Sequence, residues 1–418
     1  MTRRATAEPI AAAARLYVAG VRAHERREGP LDSVVARFLR EELKGAPDDD
    51  RGVVVDLAQG MWRRRRLLQA VSDALLDEPA WTAVAGSGRP TKEMLACIAL
   101  VLDGVAATSL PIDRRAAGAL AATVTRVVAA APLDVRASLS PWLCERLVAV
   151  GGEALALSST TAPPQTLRVN TLKATREACA QALAEEGIDT VPCVDSPCGL
   201  VVTRRKNVFR TVAFSGGWFE VQDEGSQRVA ALARAQPGQR VVDGCAGAGG
   251  KTLALAAAMQ SKGTLLAFDV HGGRLKALRA RCTRAGVDNV RVHDLDEEPR
   301  AHKRLHDASD VVLVDAPCSG TGVLRRNPDT AWTLQPDDVV RLVQTQAMLI
   351  RRYAALVKPG GRLVYATCSV LPEENRGVVG AFLADDPRFA LAAPENELVL
   401  LPTVGGGDGF YAAALTRR

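Results

Sequence analysis

Apolar residues recur at three- and four-residue intervals through the first 145 positions, the spacing that puts them on one face of a helix. "PIAAAARLYVAGVRAHE", "LDSVVARFLREEL", "RGVVVDLAQGMWRRRRLLQAVSDALL" and "KEMLACIALVLDGV" each carry it, with Pro90, Pro111 and Pro132 at the joints, where proline is tolerated. Residues 1–145 are therefore expected to form an all-α bundle. The texture then changes. "TLRVN" is strand-like, a helix is expected through Ala178 to Glu186, and short strands around "VPCV" and "GLVVT" complete a small α+β module and linker over 146–236. From 237 onward strands and helices alternate: "RVVDG", "KTLALAAAMQ", "TLLAFDV", "RLKALRARCTRAG", "NVRVHD", "DVVLVD", "DDVVRLVQTQAMLIRRYAALV", "RLVYAT". That order predicts an α/β Rossmann-like doubly wound sheet with right-handed crossovers. The closing "GDGFYAAALTRR" is expected to add an edge strand.

Composition narrows the class. A chain of 418 residues has room for two or three domains, and 47% hydrophobic with 24% charged residues is globular. The net charge of +6 suits a polyanionic partner, whereas 4% aromatics leave few residues for base stacking. Arg63 to Arg66 form the densest basic run. Four consecutive helical residues point all around the axis, so a solvated helix with one or two phosphate contacts is expected. Arg204, Arg205 and Lys206 make a second, smaller patch.

Nine cysteines without a CxxC pair indicate reduced thiols rather than a disulfide framework or a zinc site. His302 and His306 have helical spacing but lack the carboxylate of HExxH; a solvated helix face is expected, with no metal. "MTRRATAEPIAAAARLYVAGV" imitates a signal peptide until Arg15 interrupts it and the helical pattern continues. No apolar run reaches the roughly 18–20 residues of a membrane span. A soluble, cytoplasmic protein with no membrane partner is expected.

"VVDGCAGAGGKTLALA" places Gly244, Gly247, Gly249 and Gly250 between a strand and a helix. Small residues admit a ligand to the backbone, and helix-start amides favour a carboxylate or phosphate. The turn alone is compatible with NAD, flavin, ATP or S-adenosylmethionine. It is not a Walker motif, because Cys245 stands where the first glycine belongs. Asp269 ends the next strand at the distance where an acid meets ribose hydroxyls, and Asp294 ends the third, toward an adenine.

"DVVLVDAPCSGTGVLRRNPD" and "GRLVYATCSVLPEEN" each end a strand-like run in a polar turn, one bearing Asp315 and Cys318, the other Cys368. This set suits one chemistry in particular. Cytosine C5 becomes nucleophilic when a thiolate adds at C6, after which the base needs a partner at its edge and help in expelling the thiol. One cysteine, one carboxylate and one further acid/base group suffice; spacing does not decide which thiol attacks.

The two segments closely resemble signature motifs of the RNA cytosine-5 methyltransferases. "DGCAGAGGKT" resembles that family's cofactor turn, "LRVNTLK" and "VQDEGSQ" its upstream segments, and "GDGFYAAAL" its closing strand. The resemblance spans about 160–418. The helical region, with "DRGVVVDLAQGMWRRRRLL", resembles the NusB-like domain fused to the bacterial RsmB branch. The implied fold is a multidomain one: a NusB-like RNA-binding bundle, a small α+β RNA-binding module, and a class I methyltransferase domain. The resemblance further implies Cys368 as nucleophile, Cys318 as the residue assisting product release, and Asp315 as partner of the target base. It implies that Cys245, Ala246, Gly247, Ala248, Gly249 and Gly250 line an S-adenosylmethionine pocket. Lys251 is placed at the mouth of that pocket, Asp269 on the ribose, and Arg274, Asp294 and Asp315 around it. Arg325 and Arg326 become candidates for RNA phosphate contacts.

One departure stands out. Family members commonly read Ala-Pro where this chain has Gly247-Ala248, which loosens the turn and predicts weaker cofactor affinity without removing a reacting group. The expected substrate is cytosine in small-subunit ribosomal RNA, free or in a partly assembled particle, and the expected state a monomer. Transfer RNA is the alternative substrate. A non-catalytic RNA-binding or assembly factor is the alternative class, against which the intact Asp315, Cys318 and Cys368 argue. A dinucleotide oxidoreductase is disfavoured by the missing GxGxxG.

Overall fold

The computed structural model describes residues 7–26, 28–29, 31–85, 91–391 and 393–418. It divides into two compact units, one of 1–162 with 324–333, the other of 163–323 with 334–418.

In the first unit the apolar periodicity becomes helices α1 (Ala7–Glu25), α2 (Leu31–Glu41), α3 (Asp48–Arg63), α4 (Arg65–Leu76), α5 (Pro79–Ala85), α6 (Lys92–Leu102), α7 (Arg114–Ala130), α8 (Leu133–Arg136) and α9 (Pro141–Ser158). The signal-like stretch is a core helix: Ala13, Ala14 and Leu16 of α1 are buried. Gly20 lets α3 approach closely, since a Cβ there would lie 2.3 Å from the Trp62 ring, whose Nε1 donates to the Tyr17 carbonyl at 3.1 Å. Polar side chains start the later helices, Thr91 accepting from the Met94 amide, Asp113 from Arg115 and Ser140 from Leu143. Pro111 and Pro132 lie between helices as expected; Pro90 lies outside the described residues. A division at 145/146 would cut α9.

The basic run departs from expectation. Arg64, at φ −115° and ψ 24°, breaks the helix into α3 and α4, with Arg63 buried and the other three arginines half-buried and engaged within the unit. Arg63 is buried and donates to the Arg325 carbonyl at 3.4 Å. Arg64 pairs with Asp103, Arg65 stacks 4.8 Å over the Trp332 ring, and Arg66 meets Asp134 at 2.8 Å. The run is structural rather than a solvated helix face.

The second unit opens with β1 (Gln165–Val169), α10 (Arg176–Glu185), β2 (Thr190–Pro192), β3 (Gly199–Val202), α11 (Val212–Ser215) and β4 (Phe219–Val221). The strands form an antiparallel sheet of order β2-β3-β1-β4 over a core of Leu167, Val169, Cys179, Leu183 and Phe219. "FEV" at 219–221 is thus the fourth strand, one more than the strands expected from the sequence.

The larger sheet follows α12 (Glu224–Leu232): β5 (Arg240–Asp243), α13 (Gly250–Ala258), β6 (Thr264–Asp269), α14 (Gly272–Ala285), β7 (Val290–Asp294), β8 (Ser309–Asp315), α15 (Thr330–Thr333, in the helical unit), α16 (Pro336–Ala354), β9 (Val357–Thr367), α17 (Arg376–Asp385), β10 (Phe389–Leu391), β11 (Glu397–Leu400) and β12 (Phe410–Arg417). Its order is β10-β12-β9-β8-β5-β6-β7, with β11 also on β12. β5 through β9 pair in parallel, and all but the edge strand β7 are buried on both faces: Val241, Leu265 and Leu313 face α12–α14, Val242, Phe268 and Val314 face α16 and α17. Strand order reverses between β5 and β8, so the crevice for ligands lies at the carboxyl ends there.

Two expectations change. β12 is an interior strand, antiparallel between β9 and β10, because its alternate faces are both apolar. His302 is buried in a short 3₁₀ turn (Ala301–Leu305) near the Tyr353 ring, not on a solvated helix. Among the described residues no helix is long and apolar enough to cross a membrane, and no cluster of possible metal ligands occurs.

Candidate active site

Asp243, Asp269, Asp294 and Asp315 end the parallel strands β5, β6, β7 and β8, so the sheet presents four carboxylates along one edge. Their surroundings differ. Asp243 is buried; Thr252 Oγ1 donates to its Oδ2 at 2.7 Å, and burial outweighs that bond and pushes its pKa up to about 7. Asp269 accepts from the Gly247 amide at 2.8 Å and the His271 amide at 2.9 Å, bracing the glycine turn against the start of α14. A carboxylate has about four acceptor sites, so these two bonds leave room for ribose hydroxyls. Asp294 sits against Gly272, where a Cβ would fall 2.6 Å from its Oδ2. Arg274 is exposed on the first turn of α14.

The turn after β5 requires glycine at two points. Gly247 (φ +54°) and Gly249 (φ +90°) are left-handed, and a Cβ on Gly249 would strike Leu278 at 2.2 Å. Above Gly247 there is open space, and α13 starts at Gly250 with no side-chain cap. An open glycine cradle, uncapped helix-start amides and a strand-end acid fit a ligand that carries both a carboxylate and a nucleoside. Ala246 is buried below the turn, and burial beside Asp243 and Asp315 holds the Cys245 thiol protonated.

Lys251 lies deeper than the mouth of a pocket. It is buried, its Nζ donates to Asp315 Oδ2 at 2.7 Å, and it faces the Phe410 ring at 5.6 Å. Burial disfavours its charge, but Asp315, with Cys368 and Asp243 behind it, outweighs that and raises its pKa.

The two cysteines meet. Cys318 follows β8 and Cys368 follows the adjacent β9, and their sulfurs are 3.3 Å apart. The Gly322 amide donates to the Cys368 carbonyl at 2.9 Å, and a Cβ on Gly322 would lie 2.3 Å from the Gly409 carbonyl oxygen. The hydrogen bond with Cys368, burial and the charge of Glu374 all raise the Cys318 pKa, so this thiol keeps its proton.

Glu374, inside "PEEN", escaped the sequence reading. It is buried and accepts from the Ser319 amide (2.8 Å), both the Ser319 and Ser369 hydroxyls, and Gln346 Nε2 (2.9 Å). Ser319 and Ser369 each adjoin a cysteine, so one carboxylate ties both turns together. An acid just past a strand-end cysteine was its only signal. Arg325, by contrast, is no RNA contact: it is 1% exposed within the helical unit, with Nη1 3.5 Å from Thr161 Oγ1. Arg326 is half-buried and engaged within the protein. Arg204, Arg205 and Lys206 are exposed, as is Phe209 three residues on.

Residues 230–416 match the family described as 16S rRNA methyltransferase RsmB/F, and residues 140–209 match the ferredoxin-like domain of RsmF/B-like methyltransferases. A Synechocystis sp. protein named "Probable ribosomal RNA small subunit methyltransferase B" is 30% identical over 94% of this chain and 96% of its own. The Pseudomonas putida ribosomal RNA small subunit methyltransferase B is 32% identical over 91% of this chain and 93% of its own. The crystal structure of PH0851 superposes with a TM-score of 0.74 at 25% identity, covering 96% of this chain and 98% of that one. The chain belongs to the RsmB-type methyltransferases, a family whose cofactor is S-adenosylmethionine.

Proposed function

We propose that the protein methylates C5 of a cytosine in small-subunit ribosomal RNA through a covalent bond between Cys368 and C6 of the base. The observation that carries this reading is the pair of thiols 3.3 Å apart, beside the Lys251–Asp315 ion pair at the carboxyl ends of adjacent strands. C5 chemistry uses every member of that set.

The Cys368 thiolate adds to C6, and the electron pair of the C5–C6 double bond moves to C5. Asp315 faces the exocyclic amine and N3 edge of the base. Lys251 fixes Asp315 and puts a positive charge beside the density building on the ring. The family resemblance assigns the attack to Cys368, and Cys318, held protonated by its hydrogen bond to Cys368 and by burial, stands beside it as the assisting thiol. After transfer the C5 proton passes to solvent, its electron pair restores the C5–C6 double bond, and the C6–S bond breaks so that Cys368 leaves as a thiolate, assisted by a hydrogen bond from Cys318. S-adenosylmethionine, when bound, supplies the methyl group. The open turn at 247–250 with the start of α13 would hold its carboxylate end and Asp269 its ribose, with Asp294 and Arg274 toward the adenine. Such chemistry needs the base out of its stack. The NusB-like helical region and the small module, with Arg204, Arg205, Lys206 and Phe209 exposed, would hold the surrounding RNA of a cytoplasmic, monomeric enzyme.

The test is transfer of a labelled methyl group to ribosomal RNA from a strain lacking this enzyme, followed by nucleoside analysis. Label in 5-methylcytidine of the small subunit is expected. Label in another nucleoside, or in transfer RNA alone, would contradict the reading.

A further inference from the structure

The glycine turn is held from outside by a residue that contacts neither base nor cysteines. α14 lies against the turn on one face. Leu278 fills the space beside Gly249, and one helical turn later Arg281 Nη1 donates to the Ala248 carbonyl at 2.7 Å. The rest of that guanidinium is committed: Nε and Nη2 donate to Glu220 Oε2 at 3.2 and 2.9 Å. Glu220, on β4 of the small sheet, is buried, and Arg284 holds its other oxygen while stacking 3.8 Å from the Phe214 ring. The residue just after β4 reaches the turn a second way. Gln222 accepts from the buried Arg168 at 2.6 Å, and its amide nitrogen sits 3.6 Å from where a Gly250 Cβ would stand.

We infer that Arg281 is a positioning residue for cofactor binding, fixing the Gly247–Gly249 turn by spanning the Ala248 carbonyl and Glu220. This rests on the reading of that turn as the S-adenosylmethionine cradle. A turn with left-handed glycines on both sides of Ala248 has unusual backbone freedom, and binding must freeze it. A charged donor on the central carbonyl removes that freedom in advance, and the fork of a guanidinium is what lets one side chain hold both partners. The small module is thereby wired to cofactor affinity, because the arginine is aimed by a carboxylate of that module.

The experiment measures S-adenosylmethionine binding by calorimetry, kcat and KM on ribosomal RNA, and amide exchange at 246–250 without cofactor. Arg281→Met leaves Glu220 paired with Arg284, so a folded protein is expected. Its Kd for S-adenosylmethionine should rise five- to tenfold, with kcat at saturating cofactor falling less than twofold and turn amides exchanging faster. Arg281→Lys, whose single ammonium cannot span both partners, should show the same Kd increase and serves if the methionine variant does not fold. Among the described residues the Ala248 amide donates to no other group, so Ala248→Pro costs no bond there and restricts the turn by covalent means. Added to either Arg281 variant, it should recover most of the lost affinity, a rescue that a purely structural role for Arg281 does not predict. Wild-type binding with an unchanged Kd in the Arg281 variants, or no rescue, would overturn the inference alone. No saturable binding by the wild type would overturn the reading of the turn together with it.

Discussion

Asp243 is a strand-end carboxylate turned into a pH-sensitive group by where its neighbours leave it. Thr252 donates to one oxygen, and burial outweighs that bond and lifts the pKa from 3.8 to about 7. The unfolded chain ionises at the ordinary value, so the contribution of Asp243 to stability is fully present below about pH 4. It is lost as pH rises through about 7, a total on the order of 4 kcal/mol. Asp243→Asn removes the titration and retains an acceptor for Thr252. Urea unfolding should show the variant gaining about 3 kcal/mol on the wild type between pH 5 and 8; identical pH profiles would refute the assignment. At this scale the sequence was a good guide to identity and a poor one to environment. Three of the four strand-end acids, Asp269, Asp294 and Asp315, and both cysteines are singled out as residue types after apolar runs, whereas Asp243 is not. That Lys251 is buried against Asp315, and that Arg325 is buried rather than reaching for phosphate, depends on contacts from segments far away in the chain.

Elements locate the chemistry because two adjacent parallel strands deliver the cysteine turns side by side, and Glu374 fastens those turns to each other. Its partners are Ser319, Ser369 and Gln346, none of them on the glycine turn. Glu374→Gln keeps the shape but exchanges one acceptor for a donor facing two hydroxyls. Loss of a buried charged acceptor costs about 1.5–3 kcal/mol per broken bond. The expected result is a 10- to 100-fold fall in kcat with S-adenosylmethionine affinity within twofold of wild type. Equal loss of both would mean that Glu374 supports the whole domain. The parallel strands were legible because burial on both faces leaves continuous Val and Leu runs. The break at Arg64 and the interior position of β12 were not. The first turns on how four arginines find Asp103, Asp134, Trp332 and the Arg325 carbonyl, and the second on pairing with β9 and β10. The loosened cofactor turn expected from Gly247-Ala248 is likewise met by an arginine on another element.

On the scale of the whole molecule, the chain leaves the catalytic unit at Val323, directly after the Cys318 turn. It contributes Leu324–Thr333 to the helical unit and returns at Leu334. Within the helical unit that segment is gripped by Arg63 on the Arg325 carbonyl, and by Arg65 and His24 around Trp332. The helical pattern alone did not show this, because a ten-residue insertion from 160 residues downstream carries no periodicity of its own. What the pattern did show was an all-α region before a small mixed sheet and a doubly wound domain, since each of those depends on local spacing.

The central claim is that one of two touching thiols attacks the base and the other frees it. The most direct measurement is a denaturing gel for a protein–RNA adduct, run with S-adenosylmethionine and ribosomal RNA from a strain lacking the enzyme. The lanes compare wild type, Cys318→Ala, Cys368→Ala and the double variant. An adduct that accumulates in Cys318→Ala and vanishes in Cys368→Ala and the double variant is predicted. An adduct in Cys368→Ala, or in no lane while methyl transfer proceeds, would contradict the account.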